Sequence, residues 1–243
     1  MTPPTGVARD RDRTDDDTGS AVTDQTTLDP TAVGTSLLSR CPVVPVVVLD
    51  HPDQALPLGK ALLDGGIDVV EITLRTDAGL ESIRRLADLP DLHVGAGSVL
   101  VADHVDQVVD AGARFVVSPG LSVEVVQRCR QRGVAALPGV ASASELMTAV
   151  SLGLDEVKFF PAGLLGGPAG IRALAAPFTR MSFMPSGGVK AENMADYLAV
   201  PAVPAVSGSW MVDPALLRAG AWDEVTARSA HAVALATAAR PDR

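Results

Sequence analysis

From residue 43 onward the chain repeats one pattern. A short apolar run rich in β-branched residues is followed by a longer stretch with helical spacing. The runs are 43–49, 68–74, 93–99, 115–118, 134–138, 156–160, 182–185 and 204–207. Helical spacing fills 53–64, 78–88, 102–112, 122–132, 142–152, 168–175, 191–199 and 212–218, with a last helix over 221–238. Alternating strand and helix implies a parallel sheet, because each crossover helix returns the chain to the end of the sheet where the previous strand began. About eight such units in roughly 200 residues fit an α/β fold of the (β/α)8 TIM-barrel type. An open doubly wound sheet is the competing architecture. It usually carries G-x-G-x-x-G after its first strand, and the "LDHPDQ" found there has no glycine. Local signals agree with the units. Ser122, Ser142 and Asp103 are expected N-caps, and "DGGID", "DAGAR", "QRGVA" and "SLGLD" place glycine where a helix ends.

Composition narrows the function. With 47% apolar and only 3% aromatic residues, the core must be built from Val, Leu, Ala and Ile. A formal charge of -9 argues against nucleic acid or an anionic membrane as partner. A small anion remains compatible, since backbone amides and one arginine can hold it. Cys41 and Cys129 form no C-x-x-C, and the four histidines are scattered, so neither a metal nor a cofactor is expected. No apolar run has the length of a membrane span. Residues 1–30 contain seven Asp and three Arg with almost nothing apolar, which reads as a disordered acidic tail and not as a signal or transit peptide. One barrel domain over 31–243 and a cytoplasmic location are the expectations.

In a barrel of this kind the chemistry sits where the strands end. Lys158, one of only three lysines, lies inside the apolar strand "EVKFF". Alternation puts it on one face with Phe160 and puts Val157 and Phe159 on the other. An inward lysine is desolvated, which disfavours its ammonium form, and a neutral amine can form a Schiff base with a carbonyl. The same placement also suits a lysine whose stem packs while its head snorkels or pairs with a carboxylate.

Glu71, Thr73 and Arg75 alternate with apolar residues in "VEITLRT". Polar groups on a buried strand face must be hydrogen-bonded or functional. Arg75 has the fork geometry for a carboxylate, and Glu71 is placed for acid–base work. A structural Glu–Arg pair is the other reading. "PSGG" (185–188) and "SGSW" (207–210) close the seventh and eighth strands, where barrels often bind phosphate through backbone amides.

At these residues the chain resembles the 2-dehydro-3-deoxyphosphogluconate (KDPG) aldolases, also called bifunctional 4-hydroxy-2-oxoglutarate aldolases. "EITLRT", "VGAGSVL", "SPGL", "PGVAS-SEL", "KFFPA", "PSGGV" and "SGSWMV" occur in that family's order and spacing, from about Thr35 to the C-terminal helix. The resemblance implies a metal-independent class I aldolase without cofactor, on a (β/α)8 barrel that assembles as a homotrimer. It implies Lys158 as the Schiff-base lysine and Glu71 as the general acid/base. Arg75 and Ser98 would bind the carboxylate of the pyruvate half, and Pro119 and Phe160 would line its pocket. Ser186, Gly187, Gly188, Gly208 and Ser209 would hold a distal phosphate. The chain departs from the family pattern at Ser98 and Ser186, usually Thr, and at Ser207, usually Gly. The implied reaction cleaves KDPG to pyruvate and glyceraldehyde 3-phosphate, or 4-hydroxy-2-oxoglutarate to pyruvate and glyoxylate. Competing readings are an aldolase for another 2-keto-3-deoxy acid such as the phosphogalactonate, a phosphosugar isomerase, and a non-enzymatic sensor on the same barrel.

Overall fold

A computed structural model describes residues 1–2 and 36–240. The acidic segment, beyond its first two residues, and the expected start of the domain at residue 31 therefore lie outside the described residues. The strands are β1 (Val43–Val47), β2 (Val69–Thr73), β3 (His93–Gly97), β4 (Phe115–Ser118), β5 (Ala135–Val140), β6 (Glu156–Phe159), β7 (Ser182–Pro185) and β8 (Val206–Gly208). The helices are α1 (Ala55–Asp64), α2 (Ala78–Leu86), α3 (Ala102–Asp110), α4 (Val123–Gln131), α5 (Ala143–Ser151), α6 (Gly167–Ala175), α7 (Met194–Leu198), α8 (Pro214–Ala219) and α9 (Trp222–Ala238). Neighbouring strands pair in parallel in the order β7-β6-β5-β4-β3-β2-β1-β8. With β7 and β8 lying together at the seam, the sheet is a nearly closed barrel. No helix among the described residues is long and apolar enough to cross a membrane.

Each unit follows from its sequence. The outward strand residues Val70, Ile72, Val157 and Phe159 are fully buried beneath the helices. Phe159 and Phe183, outward on adjacent strands, meet edge to face with centroids 6.4 Å apart. The expected glycine stops hold: Gly66, Gly112, Gly133 and Gly153 all take positive φ, which L side chains avoid. Ser122 and Ser142 cap α4 and α5 through their side chains. Asp103 does not cap α3; Val101 holds the cap position and Asp103 lies in the first turn, where a carboxylate favours the helix dipole without a cap bond.

The register places side chains across the barrel. Glu71 pairs with Gly95, Gly95 with Phe115, and Phe115 with Ala135. Lys158 pairs with Gly139, four residues farther along β5. A shear of eight over eight strands staggers the register by about one residue per strand. Four strands apart, Glu71 and Lys158 therefore point into one layer of the interior. Val117 of β4 belongs to the same layer. Below it, Phe115 fills the interior, with His93 stacked on it at 5.4 Å. Lower still, the short helix Leu37–Ser39 packs Leu37 and Leu38 into the core, and the Ser36 hydroxyl donates to Glu156 of β6.

Candidate active site

Lys158 and Glu71 meet across the barrel. Lys158 Nζ lies 3.2 Å from Glu71 Oε1 and 3.5 Å from Oε2. Both are buried, at 5% and 1% exposure. Taking two charges from water into a barrel costs several kcal/mol per ion before their attraction returns it. An apolar pair of similar volume would fill this layer as well. The two groups are thus expensive as architecture and make sense as chemistry.

Glycines on the flanking strands make room for Glu71 and for the turn after β4. A Cβ on Gly97 would stand 2.2 Å from Glu71 Oε1. Gly139, paired with Lys158, faces the carbonyl oxygen of Pro119, which a Cβ would approach to 2.1 Å. Thr73, also buried, donates through its hydroxyl to the Val47 carbonyl at 2.9 Å and so ties β2 to β1 beside the pair.

The remaining expected residues ring the C-terminal mouth. Arg75 stands in the turn after β2, exposed, with Nε donating to Ser98 Oγ at 3.0 Å. Ser98 holds φ +58, a conformation an L residue adopts only at a cost. Pro119 is exposed just beyond β4. The Phe160 ring lies under the amine, 5.6 Å from centroid to Lys158 Nζ, within cation–π range.

On the β7 side Ser186 is buried and its amide donates to Phe159 O at 3.0 Å. Gly187 and Gly188 both take positive φ, and a Cβ on Gly187 would press on the Phe160 ring at 3.2 Å. Among the described residues, their amides have no protein acceptor. Asn193 clamps this turn, donating to Gly188 O at 2.9 Å and accepting from Lys190 N at 2.8 Å. Gly208 and Ser209 follow on β8 and its turn, with the Trp210 ring occupying the space a Cβ on Gly208 would need. The structure thus gathers every expected residue at one end of the barrel. Sequence reasoning passed over Gly97, Gly139 and Asn193. Only the "N" three residues after Lys190 offered a signal, as a side chain able to close a turn on itself.

A sequence model of the family described as KDPG and KHG aldolase matches residues 35–228. The protein belongs to this aldolase family. A 2-dehydro-3-deoxy-phosphogluconate aldolase of Dickeya dadantii is 42% identical over 203 residues, 83% of this chain and 95% of that one. The enzyme of the same name from Treponema pallidum is 46% identical over 193 residues, 79% of this chain and 92% of its own. Among solved structures, KDPG aldolase from Legionella pneumophila superposes with a TM-score of 0.78 at 38% identity, covering 85% of this chain and 98% of that one. That enzyme was crystallised with pyruvate captured as a covalent carbinolamine intermediate. A carbon–carbon lyase of the aldolase class on a (β/α)8 barrel is therefore the frame for this site.

Proposed function

We propose that the protein is a class I aldolase that cleaves 2-dehydro-3-deoxy-6-phosphogluconate to pyruvate and glyceraldehyde 3-phosphate. The observation that carries this reading is the buried Lys158–Glu71 pair, 3.2 Å apart, at the C-terminal end of the barrel. Lys158 in its neutral form attacks the C2 ketone, and Glu71 is close enough to take the proton the amine sheds. Glu71 hands that proton to the carbinolamine hydroxyl, which leaves as water, so an iminium ion remains and Glu71 is again a carboxylate. Glu71 then accepts the proton of the C4 hydroxyl, the C3–C4 bond breaks, and its electron pair moves into the iminium to give an enamine. The aldehyde leaves. Protonation of the enamine carbon and attack of water on the iminium release pyruvate and restore Lys158.

Arg75 and Ser98 bind the substrate carboxylate. Their mutual hydrogen bond of 3.0 Å fixes the guanidinium fork before substrate arrives. Pro119 and Phe160 line the pyruvate half. Ser186, Gly187, Gly188, Gly208 and Ser209 receive the distal phosphate. The unpartnered amides of Gly187 and Gly188, held by Asn193, support this, because anions bind where backbone N–H groups converge. 4-Hydroxy-2-oxoglutarate, which shares the keto-acid end, is a second substrate on the same residues.

A homotrimer working in the cytoplasm completes the proposal. Leu100, Val101, Val123, Met147, Val150 and Leu164 are exposed apolar side chains that a second copy would cover. A relative at 29% identity serves in a designed protein cage built by fusing symmetric oligomeric domains. Sedimentation velocity on the full chain reads the assembly directly.

The decisive experiment is borohydride reduction in the presence of pyruvate, followed by peptide mass mapping. A pyruvyl adduct on Lys158, absent from Lys158→Ala, is expected. A folded protein that forms no adduct sinks the proposal.

A further inference from the structure

Ser207 is the third polar residue of the layer that holds Lys158 and Glu71. Its pairing partner is Val44, two residues before Val46, which pairs with Glu71. With β8 two strands from β2, the stagger of one residue per strand brings Ser207 into the layer of Glu71. The layer therefore consists of Glu71, Val117, Lys158 and Ser207, one from each even-numbered strand. Around the ring β8 falls between β6 and β2. Ser207 thus takes the corner between lysine and glutamate, and apolar Val117 takes the corner opposite.

Ser207 is fully buried, at 0% exposure. Its Oγ has no protein hydrogen-bond partner among the described residues. Buried hydroxyls in native proteins are nearly always satisfied, by protein or by an ordered water. Here the neighbouring groups of the layer are a three-donor amine and a carboxylate, neither within direct hydrogen-bond reach of the hydroxyl. A single water at that corner would meet three polar partners, the number a buried water typically finds.

We propose that Ser207 is a positioning residue of the Schiff-base site. Its hydroxyl anchors one water that hydrogen-bonds both Lys158 and Glu71, fixing the amine where it meets the ketone. This rests on the aldolase reading above. It differs from the distal-phosphate role of the same turn: Gly208 and Ser209 face the mouth, and Ser207 faces the interior.

The test compares the rate of borohydride trapping with pyruvate, and the kcat and KM for cleavage, in the wild type, Ser207→Ala and Ser207→Thr. The expected result for Ser207→Ala is a trapping rate and kcat about tenfold lower, the size of one lost hydrogen bond. KM should stay within about twofold, and Tm should be unchanged or higher, because a buried hydroxyl has been removed. Ser207→Thr, which keeps the hydroxyl, should recover most of the rate. Wild-type rates in Ser207→Ala overturn the proposal. So does a slow Ser207→Ala whose Tm has fallen and which Ser207→Thr does not rescue, since that pattern marks a packing role. A wild type that traps no pyruvate overturns the aldolase reading, and this inference with it.

Discussion

Gly97 stands where any side chain would strike Glu71: a Cβ there would lie 2.2 Å from Oε1 and 2.7 Å from Cγ. The carboxylate tip is the movable party, so Gly97→Ala should shift it by about 1 Å while leaving it paired with Lys158. Misplacing a catalytic group by about 1 Å costs on the order of 100-fold in rate. The expected outcome is a loss of that order in kcat for KDPG cleavage, with Tm nearly unchanged. Gly139→Ala is the contrast. Its Cβ would meet the Pro119 carbonyl at 2.1 Å, which is backbone and cannot swing aside, so a loss of about 1–3 kcal/mol in stability is expected. Urea unfolding beside an aldolase assay separates the two.

The Lys158–Glu71 pair itself should show a mismatch between activity and stability. Lys158→Met leaves a buried carboxylate without its cation, and breaking such a pair costs about 3–5 kcal/mol. Replacing both, as in Lys158→Met with Glu71→Leu, removes both desolvation costs and should restore stability to the wild-type level or above it. All of these variants should be inactive. Thermal unfolding in which the double variant is less stable than either single one would mean that the pair is structural.

The barrel was legible because its units are periodic. Eight apolar runs and the glycines that end the helices between them fall at the observed positions. Alternation also set Lys158 on the face opposite Val157 and Phe159, and Glu71 on the face opposite Val70 and Ile72. What the chain order could not supply was the relation between distant strands. Gly97 and Gly139 carry no signal of their own until the side chain or carbonyl opposite them is known. Arg75 read as the end of an alternating strand, yet it stands in the turn beyond Thr73, where it reaches Ser98. Ser207 read as part of a phosphate turn, and only the stagger of β8 against β1 and β2 turns it inward. Asp103 had the chemistry of a cap, but the helix began two residues too early to use it.

Ser98 trades backbone comfort for a contact. At φ +58 it pays about 1–2 kcal/mol of steric strain, and in return its hydroxyl accepts from Arg75 Nε at 3.0 Å. Ser98→Gly relieves the strain but frees the unfolded chain by about 0.4–1 kcal/mol. Stability should therefore move by no more than about 1 kcal/mol. The loss should fall on substrate binding, with KM for a 2-keto acid rising roughly tenfold as Arg75 loses its brace. Ser98→Ala should lose the same affinity while keeping the strain, and steady-state kinetics with paired melting curves distinguishes the two.

The closed end of the barrel carries two groups with opposite pH dependence. Burial raises the Glu156 carboxyl above its ordinary value of 4.5, and the Ser36 hydroxyl only partly offsets this. The folded state therefore holds that proton more tightly than the unfolded chain. Stability from this group is present below about 4.5 and is lost as pH rises through the native value. Burial also lowers His93 below 6.5, aided by the Arg40 and Arg114 charges and opposed by Asp68. There the unfolded chain takes the proton first, so stability is lost as pH falls from 6.5 through the native value. Glu156→Gln should accordingly be at least as stable as wild type at pH 7, with its advantage fading as pH drops toward 4.5. His93→Phe, which keeps the stack on Phe115, should flatten the decline below pH 6.5. Urea unfolding between pH 4 and 8 tests both, and a Glu156→Gln advantage that grows on acidification would reverse the assignment.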